Sequence, residues 1–145
     1  MKSTIERLHR LLQLPPSERV ILAQAWGLFL LVDIALRLLP LKHLLALCQR
    51  TPLGRREDSL VPSPSLPRLV WLVEVAGRYA PVNTTCLKKA LILSWLLERR
   101  GIQTELQIGV ARRDGTLIAH AWLERKGQVI LGPPGSDGYE PLLSA

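Results

Sequence analysis

The chain has 145 residues, the size of one domain that can bury a core without disulfides or metals. Its formal net charge is +7 and its hydrophobic fraction is 48%. Two cysteines, Cys48 and Cys86, are too few for a disulfide framework, and the N-terminus lacks the pattern of a secretory signal. We therefore expect a cytoplasmic protein with reduced thiols.

The positive charge is compatible with nucleic acid, an anionic membrane or an acidic protein as partner. The only adjacent arginine pairs are Arg55–Arg56, Arg99–Arg100 and Arg112–Arg113. They lack the interleaved aromatic residues of a groove that binds single-stranded nucleic acid. We expect no nucleic-acid partner.

The apolar run from Val20 to Leu39 has nearly the length of a membrane span, which needs roughly 20 apolar residues. Gln24, Asp33 and Arg37 interrupt it, and charged residues are costly at mid-bilayer. The run therefore predicts a buried core helix, with peripheral membrane contact as the alternative.

Helices are predicted for the first 50 residues. A short helix ends at Pro15–Pro16, Ser17 is the expected N-cap of a long helix to Leu39, and residues 41–50 repeat apolar residues at helical spacing. We interpret Cys48, in the last of these segments, as a small buried apolar residue.

Residues 51–67 carry four prolines and no apolar periodicity, which predicts a connecting loop. Residues 69–79 predict a helix, and residues 80–83 a turn. The catalytic part of a single domain, 1–145, is expected to lie in residues 68–145.

The clearest helix begins at Cys86, after Thr84 or Thr85 as the cap, and ends before Gly101. Its apolar face is broad, and Lys88 is expected on the wetter side.

The period then changes to that of strands. Residues 104–111 and 116–124 alternate across a turn at residues 113–115, and residues 128–131 form a third strand. The order predicts an α+β fold: N-terminal helices followed by one long helix packed on a small antiparallel sheet.

Cys86 and His120 are the candidate catalytic residues. A cysteine in the first turn of a helix lies beside unpaired amide N–H groups that favour the thiolate and can stabilise an oxyanion. Strand alternation puts His120 and Trp122 on one face, which we expect to be directed toward the helix that carries Cys86.

The motifs around these residues resemble a known family. The segments CLKKALILSWLLERRGIQTELQIGV around Cys86 and LIAHAWLERKGQVILG around His120 are similar to the leader peptidases of lasso-peptide biosynthesis. This family, typified by the C-terminal domain of the microcin-processing protein, has a transglutaminase-like, papain-related fold. The resemblance covers nearly the whole chain.

The resemblance implies a Cys-His-Asp triad with Cys86 as nucleophile and His120 as base. It implies an aspartate near residues 131–133, where Leu-Gly-Pro stands instead. A three-residue loop would pair Glu124 with Gln128 and bring position 132 opposite His120. Asp137 could fold back toward His120 as the third member, but a Cys-His dyad oriented by a backbone carbonyl, an Asn or a water is favoured.

Two further residues are assigned lesser roles. Asn83 is a candidate oxyanion or orienting donor, although its ordinary role is that of a turn residue. The family pattern makes Trp122 part of the wall of the site. No cluster of cysteine and histidine has zinc spacing, and no cofactor is expected.

The resemblance also implies the function and partners. The expected activity is cleavage of a precursor's leader segment through a Cys86 thioester. A separate leader-binding protein would deliver the precursor, and an ATP-dependent macrocyclase would act afterwards. The alternatives are a catalytically impaired leader-binding or partner-docking module and an acyltransferase on the same scaffold.

Overall fold

The computed structural model describes residues 4–50, 65–132 and 139–144. The helices are α1 (Thr4–Leu12), α2 (Pro16–Leu38), α3 (Leu41–Arg50), α4 (Leu66–Tyr79) and α5 (Cys86–Glu98). The strands are β1 (Glu105–Arg113), β2 (Thr116–Arg125), β3 (Gln128–Leu131) and β4 (Glu140–Ser144). The predicted α+β class, with helices before an antiparallel sheet, is confirmed.

The strands form one antiparallel sheet in the order β3-β2-β1-β4. Asp114 and Gly115, with φ of 50° and 79°, form the two-residue turn that joins β1 to β2. The sequence did not predict β4, a short edge strand in which Pro141 lies opposite Gly109. An edge is where a proline is tolerated, because its missing N–H has no partner there to lose.

Helix α5 links the helices to the sheet. It packs against α2 and α4 as well as β1 and β2. Its side chains Ala90, Leu93 and Leu97 are fully buried. The core cluster continues into the sheet through Leu106, Ala121, Leu123 and Leu131.

Three ion pairs fasten the helices to one another. Arg68 on α4 donates two hydrogen bonds of 2.8 Å to the Glu18 carboxylate on α2. Lys88 on α5 pairs with Asp33 on α2 at 2.5 Å, and Lys89 pairs with Glu74 on α4 at 2.9 Å. The helix that begins at Cys86 is therefore tied to both neighbouring helices.

Two predicted boundaries were wrong. Ser17 does not cap α2, because the helix begins at Pro16 after Pro15 and has no side-chain cap. Proline suits this first turn, where its missing N–H is unneeded. Leu66 and Pro67 were assigned to the connecting loop but form the first turn of α4. Residues 51–64 lie outside the described residues, and the grouping of 1–145 as one domain stays a prediction.

Helix α2 is less buried than its apolar run predicted. The buried residues of α2 are Ile21, Ala25 and Phe29. In the most apolar 18-residue window of this helix, only 17% of the residues are buried. By length and composition alone this helix could cross a membrane, with a mean hydropathy of 1.8. It therefore contributes one face to the core and leaves the other exposed.

We expect Leu93→Ala to destabilise the protein far more than Leu31→Ala, although both remove the same atoms. Leu93 has no exposed surface, whereas Leu31 is 60% exposed. Truncating a buried leucine costs about 2–5 kcal/mol, since a cavity is added to the lost burial, and an exposed site changes by about 0.5 kcal/mol or less. Urea unfolding of both variants measures the difference, and equal losses would contradict this core assignment.

Candidate active site

Cys86 is the first residue of α5 and carries a half-buried free thiol. Thr85 precedes it as N-cap, and the Thr85 hydroxyl accepts a 3.4 Å hydrogen bond from the backbone N–H of Lys88. This confirms the predicted cap. A thiol at this position lies next to first-turn amides that have no partner within the helix, the setting that favours a thiolate.

A buried ammonium holds the start of α5 in place. Lys88, 6% exposed, donates from Nζ to Asp33 Oδ1 and to the backbone carbonyl of Asn83, both at 2.5 Å. Thr84 Oγ1 adds a 3.0 Å hydrogen bond to the carbonyl of Gly77 on α4. The prediction that Lys88 lies on the wetter side was wrong. The turn before Cys86 is fixed to both α2 and α4.

Asn83 is exposed, and its backbone carbonyl is the group that binds Lys88. The structure therefore gives this residue a structural contact through its main chain. The predicted oxyanion or orienting role of its side chain stays a prediction.

His120 belongs to an aromatic cluster, which we define as His120, Trp122 and Tyr139. The His120 ring is stacked with Trp122 at a centroid distance of 6.3 Å and an interplanar angle of 15°. The centroid of the Tyr139 ring lies 5.5 Å from that of His120 and 6.0 Å from that of Trp122. Trp122 therefore lies against the histidine, and its role in the wall of a site stays a prediction. Tyr139 is a member of the cluster that the sequence did not predict.

The imidazole of His120 is buried at Nε2, and within the described residues this nitrogen has no hydrogen-bond partner. Burial lowers the pKa of His120 below its ordinary 6.5 because the charged form is poorly solvated. A neutral imidazole with a free nitrogen can accept a proton, which is the property required of a general base.

Glu124 and two glycines fix the Trp122 ring. Trp122 Nε1 donates a 2.7 Å hydrogen bond to Glu124 Oε1. A Cβ placed on Gly109 would lie 2.8 Å from the ring, and one on Gly132 would lie 2.8 Å from Trp122 Cβ. Both positions are therefore occupied by the tryptophan, which explains why neither carries a side chain.

Packing of β2 differs from the expectation that His120 is directed toward α5. Ala121 and Leu123 join the core that contains α5, and alternation puts His120 and Trp122 on the other face of the strand. No hydrogen bond between Cys86 and His120 occurs in the described part of the chain. The pairing of these two side chains as a dyad stays a prediction.

The turn after β2 also differs from the predicted register. Arg125 pairs with Gln128 across the two-residue turn of Lys126 and Gly127, and a bulge follows, so that Leu123 pairs with Leu131. Glu124 lies opposite Val129 rather than Gln128. The bulge arises because β3 contributes one residue more than β2.

Gly132 nevertheless lies beside the histidine. A Cβ on this glycine would be 3.7 Å from His120 Nε2. The location at which the family's aspartate is expected is therefore adjacent to the imidazole, and it carries no carboxylate. Asp137, the alternative acid, lies outside the described residues, and its role stays a prediction.

No group of three or more histidine, cysteine and acidic side chains suited to a metal ion occurs among residues 4–50, 65–132 and 139–144. The side chain of Cys48, on α3, is outside what the structure describes. The site therefore consists of a thiol at a helix start and an imidazole in an aromatic cluster.

A family model for the transglutaminase-like superfamily matches residues 28–144, from the middle of α2 to the end of β4. The chain belongs to the transglutaminase-like superfamily. A search of the curated proteins and a search of the solved structures each gave no match. Membership fits a helix followed by an antiparallel sheet, with a cysteine at the helix start and a histidine on the second strand.

We expect the stability of this transglutaminase-like protein to fall as the pH falls below 6.5, through the His120 pKa. A folded-state pKa below the unfolded one means that the unfolded chain binds the proton first, so acid favours unfolding. The slope for one proton is at most about 1.4 kcal/mol per pH unit.

The measurement compares urea unfolding of wild type and His120→Gln between pH 7 and 5, and the variant should lose less stability. Arg68 lowers the pKa of Glu18, and Lys88 lowers the pKa of Asp33. The contributions of these two carboxylates to stability are therefore lost only below about pH 4.5. Burial raises the pKa of Glu98, which both proteins share. Parallel pH profiles would contradict a buried neutral His120.

Replacing Gly132 should be more costly than replacing Gly127. Both have positive φ, 132° and 78°, but only Gly132 faces the tryptophan; at Gly127 nothing lies within 4 Å of an added Cβ. We expect Gly127→Ala to cost about 1 kcal/mol and Gly132→Ala about 1–3 kcal/mol more from overpacking. Gly132→Asp should likewise destabilise and fail to create a working acid. Equal unfolding free energies for the two alanine variants would contradict the contact with Trp122.

Proposed function

We propose that this protein is a cysteine peptidase that uses Cys86 as nucleophile and His120 as general base. The observation that carries the proposal is the half-buried free thiol of Cys86 on the first residue of α5, in a chain of transglutaminase-like fold. Within the part of the chain that the structure describes, His120 Nε2 is buried without a hydrogen-bond partner, which supports its role as the base. A buried polar atom without a partner is uncommon and is retained where a function requires it.

The proposed reaction is hydrolysis of one peptide bond. Cys86 Sγ attacks the carbonyl carbon, and the thiol proton passes through His120 to the leaving nitrogen as the C–N bond breaks. The first-turn amides of α5 stabilise the oxyanion. Water then attacks the thioester, His120 takes its proton, and the acid and free thiol are released.

The proton transfer requires Cys86 and His120 to reach hydrogen-bond distance when substrate binds. Catalytic hydrogen bonds are often long in unliganded enzymes and shorten in the complex. Helix α5 packs on β2, but His120 lies on the face of β2 that is directed away from α5. This step therefore requires the aromatic cluster to rearrange so that the imidazole reaches Cys86.

The proposed substrate is the leader segment of a ribosomally made lasso-peptide precursor, cleaved in the cytoplasm. This rests on the similarity of the Cys86 and His120 segments to leader peptidases. The proposal includes a separate leader-binding protein, which raises the local concentration of the precursor, and an ATP-dependent macrocyclase that takes the released core peptide. It requires no cofactor and no nucleic acid.

A second candidate is a leader-binding or partner-docking module without catalysis. Two observations favour it: no carboxylate stands at Gly132, and no hydrogen bond joins Cys86 to His120 among the described residues. In that case the Cys86 thiol has no activating base. Selective reactivity of this thiol therefore distinguishes the two functions.

We expect iodoacetamide at pH 7 to alkylate Cys86 at least about tenfold faster than Cys48, since an activated thiol at a helix start reacts as the thiolate. In His120→Ala the Cys86 rate should fall at pH 7 and approach that of wild type at pH 10, where thiols ionise without a base. Peptide mass spectrometry assigns each label. Equal rates at the two cysteines would favour the non-catalytic module.

Cys86→Ala and His120→Ala should each reduce kcat/KM for leader cleavage by at least about a thousandfold, because they remove the nucleophile and its base. Cleavage is measured on a precursor peptide with its leader-binding protein present. Cys48→Ala is the matched control and should cleave like wild type. Substantial turnover by Cys86→Ala would end the peptidase proposal.

A further inference from the structure

The outer face of α2 exposes large apolar side chains along its length. We define it by six large side chains, each 39–76% exposed: Val20, Trp26, Leu30, Leu31, Ile34 and Leu38. Val20, Leu31, Ile34 and Leu38 follow one another at helical spacings that bring them to the same side. Gly27 lies between them, and nothing is within 4 Å of its Cβ position. A soluble monomer rarely leaves such a surface bare.

Two features exclude a helix that crosses a bilayer in this fold. The inner side of α2 buries Ile21, Ala25 and Phe29 against the rest of the helices. The carboxylates of Glu18 and Asp33 are engaged by Arg68 of α4 and Lys88 of α5. Spanning would break both ion pairs and strip the inner side from the core. The exposed side can instead lie in the plane of an interface, as monotopic helices do.

The charges around the outer face are complementary to an anionic surface. Both acids of α2 are held in ion pairs with α4 and α5, whereas Arg19 and Lys42 are exposed near its two ends. The side chain of Arg37 is 77% exposed, although its Nε lies 3.1 Å from Asp33 Oδ2. With a net charge of +7, the whole chain is attracted to anionic lipid headgroups.

The shape of the surface also favours lipid over a folded protein. The outer face is the ridge of a single helix. Trp26 of the outer face is 42% exposed, and tryptophan is enriched at membrane interfaces. A fluid acyl layer accommodates such a ridge without a matching groove.

We propose that the outer face of α2 binds an anionic phospholipid surface, with α2 lying parallel to the membrane. The proposal rests on exposure and charge at α2 and does not depend on the peptidase chemistry. The protein would bind the membrane peripherally, through apolar insertion and cationic attraction together.

The test is cosedimentation of the full-length protein with vesicles of phosphatidylglycerol and phosphatidylcholine, and with vesicles of phosphatidylcholine alone. We expect binding to the anionic vesicles, at least tenfold weaker binding to the neutral ones, and weakening by 0.5 M salt. Absence of binding to anionic vesicles would overturn the proposal.

The double variant Leu31→Ser/Ile34→Ser should bind anionic vesicles at least tenfold more weakly than wild type. Its matched control is Leu117→Ser/Ile118→Ser, which changes an exposed leucine and isoleucine on β2, 65% and 38% exposed, with no change of charge. The control should differ from wild type by less than threefold. Equal weakening in both would show that the α2 face has no special role.

Thermal unfolding of both double variants keeps the result interpretable, since a loss of binding counts only where the fold is retained. If Leu31→Ser/Ile34→Ser does not fold, Leu31→Ser alone replaces it. Light scattering without vesicles tests a second copy of this chain as the occupant. The lipid assignment would be overturned if wild type is a dimer, the α2 variant is a monomer, and the variant still binds anionic vesicles as wild type does.

Discussion

The buried ammonium of Lys88 makes the contacts on which the placement of Cys86 depends. It lies two residues after Cys86 and joins the carboxylate of Asp33 to the carbonyl of Asn83. An ammonium removed from water is costly unless it is paired and hydrogen-bonded. Because both partners must be present together, α2, the turn before α5 and the first turn of α5 are held in one arrangement. The amides beside Cys86 are oriented as a consequence.

The sequence predicts those features that are local. Helical spacing predicts α3 with its observed bounds, Leu41–Arg50, and Gly101, in the turn that follows α5, has the predicted left-handed conformation with a φ of 73°. The cap at Thr85 and the hairpin at Asp114–Gly115 follow from short-range rules. Each of these depends on residues fewer than five apart. Local preference and final structure therefore agree at these positions.

Features that depend on distant partners were missed. Asp33 and Lys88 are 55 residues apart, and each alone looks like a charge that should be exposed. Tyr139 follows a segment without periodicity, so nothing in its surroundings indicated contact with His120. The bulge between β2 and β3, and the close approach of Gly132 to Trp122 beyond it, follow from no short-range rule. Only tertiary packing decides such contacts.

The aromatic cluster shows how an imidazole can be oriented without an acid. In a triad, a carboxylate fixes the tautomer and stabilises the imidazolium. Here Glu124 holds Trp122 by a 2.7 Å hydrogen bond, and Trp122 stacks on His120. The Glu124 carboxylate therefore orients the His120 ring only through Trp122 and is not hydrogen-bonded to the imidazole. Such an arrangement orients the imidazole of His120 but leaves its pKa lowered by burial. A base of this kind would suit a cysteine better than a serine, because a thiol gives up its proton more readily. The absence of an acid at Gly132 is thus consistent with the proposal that Cys86 is the nucleophile.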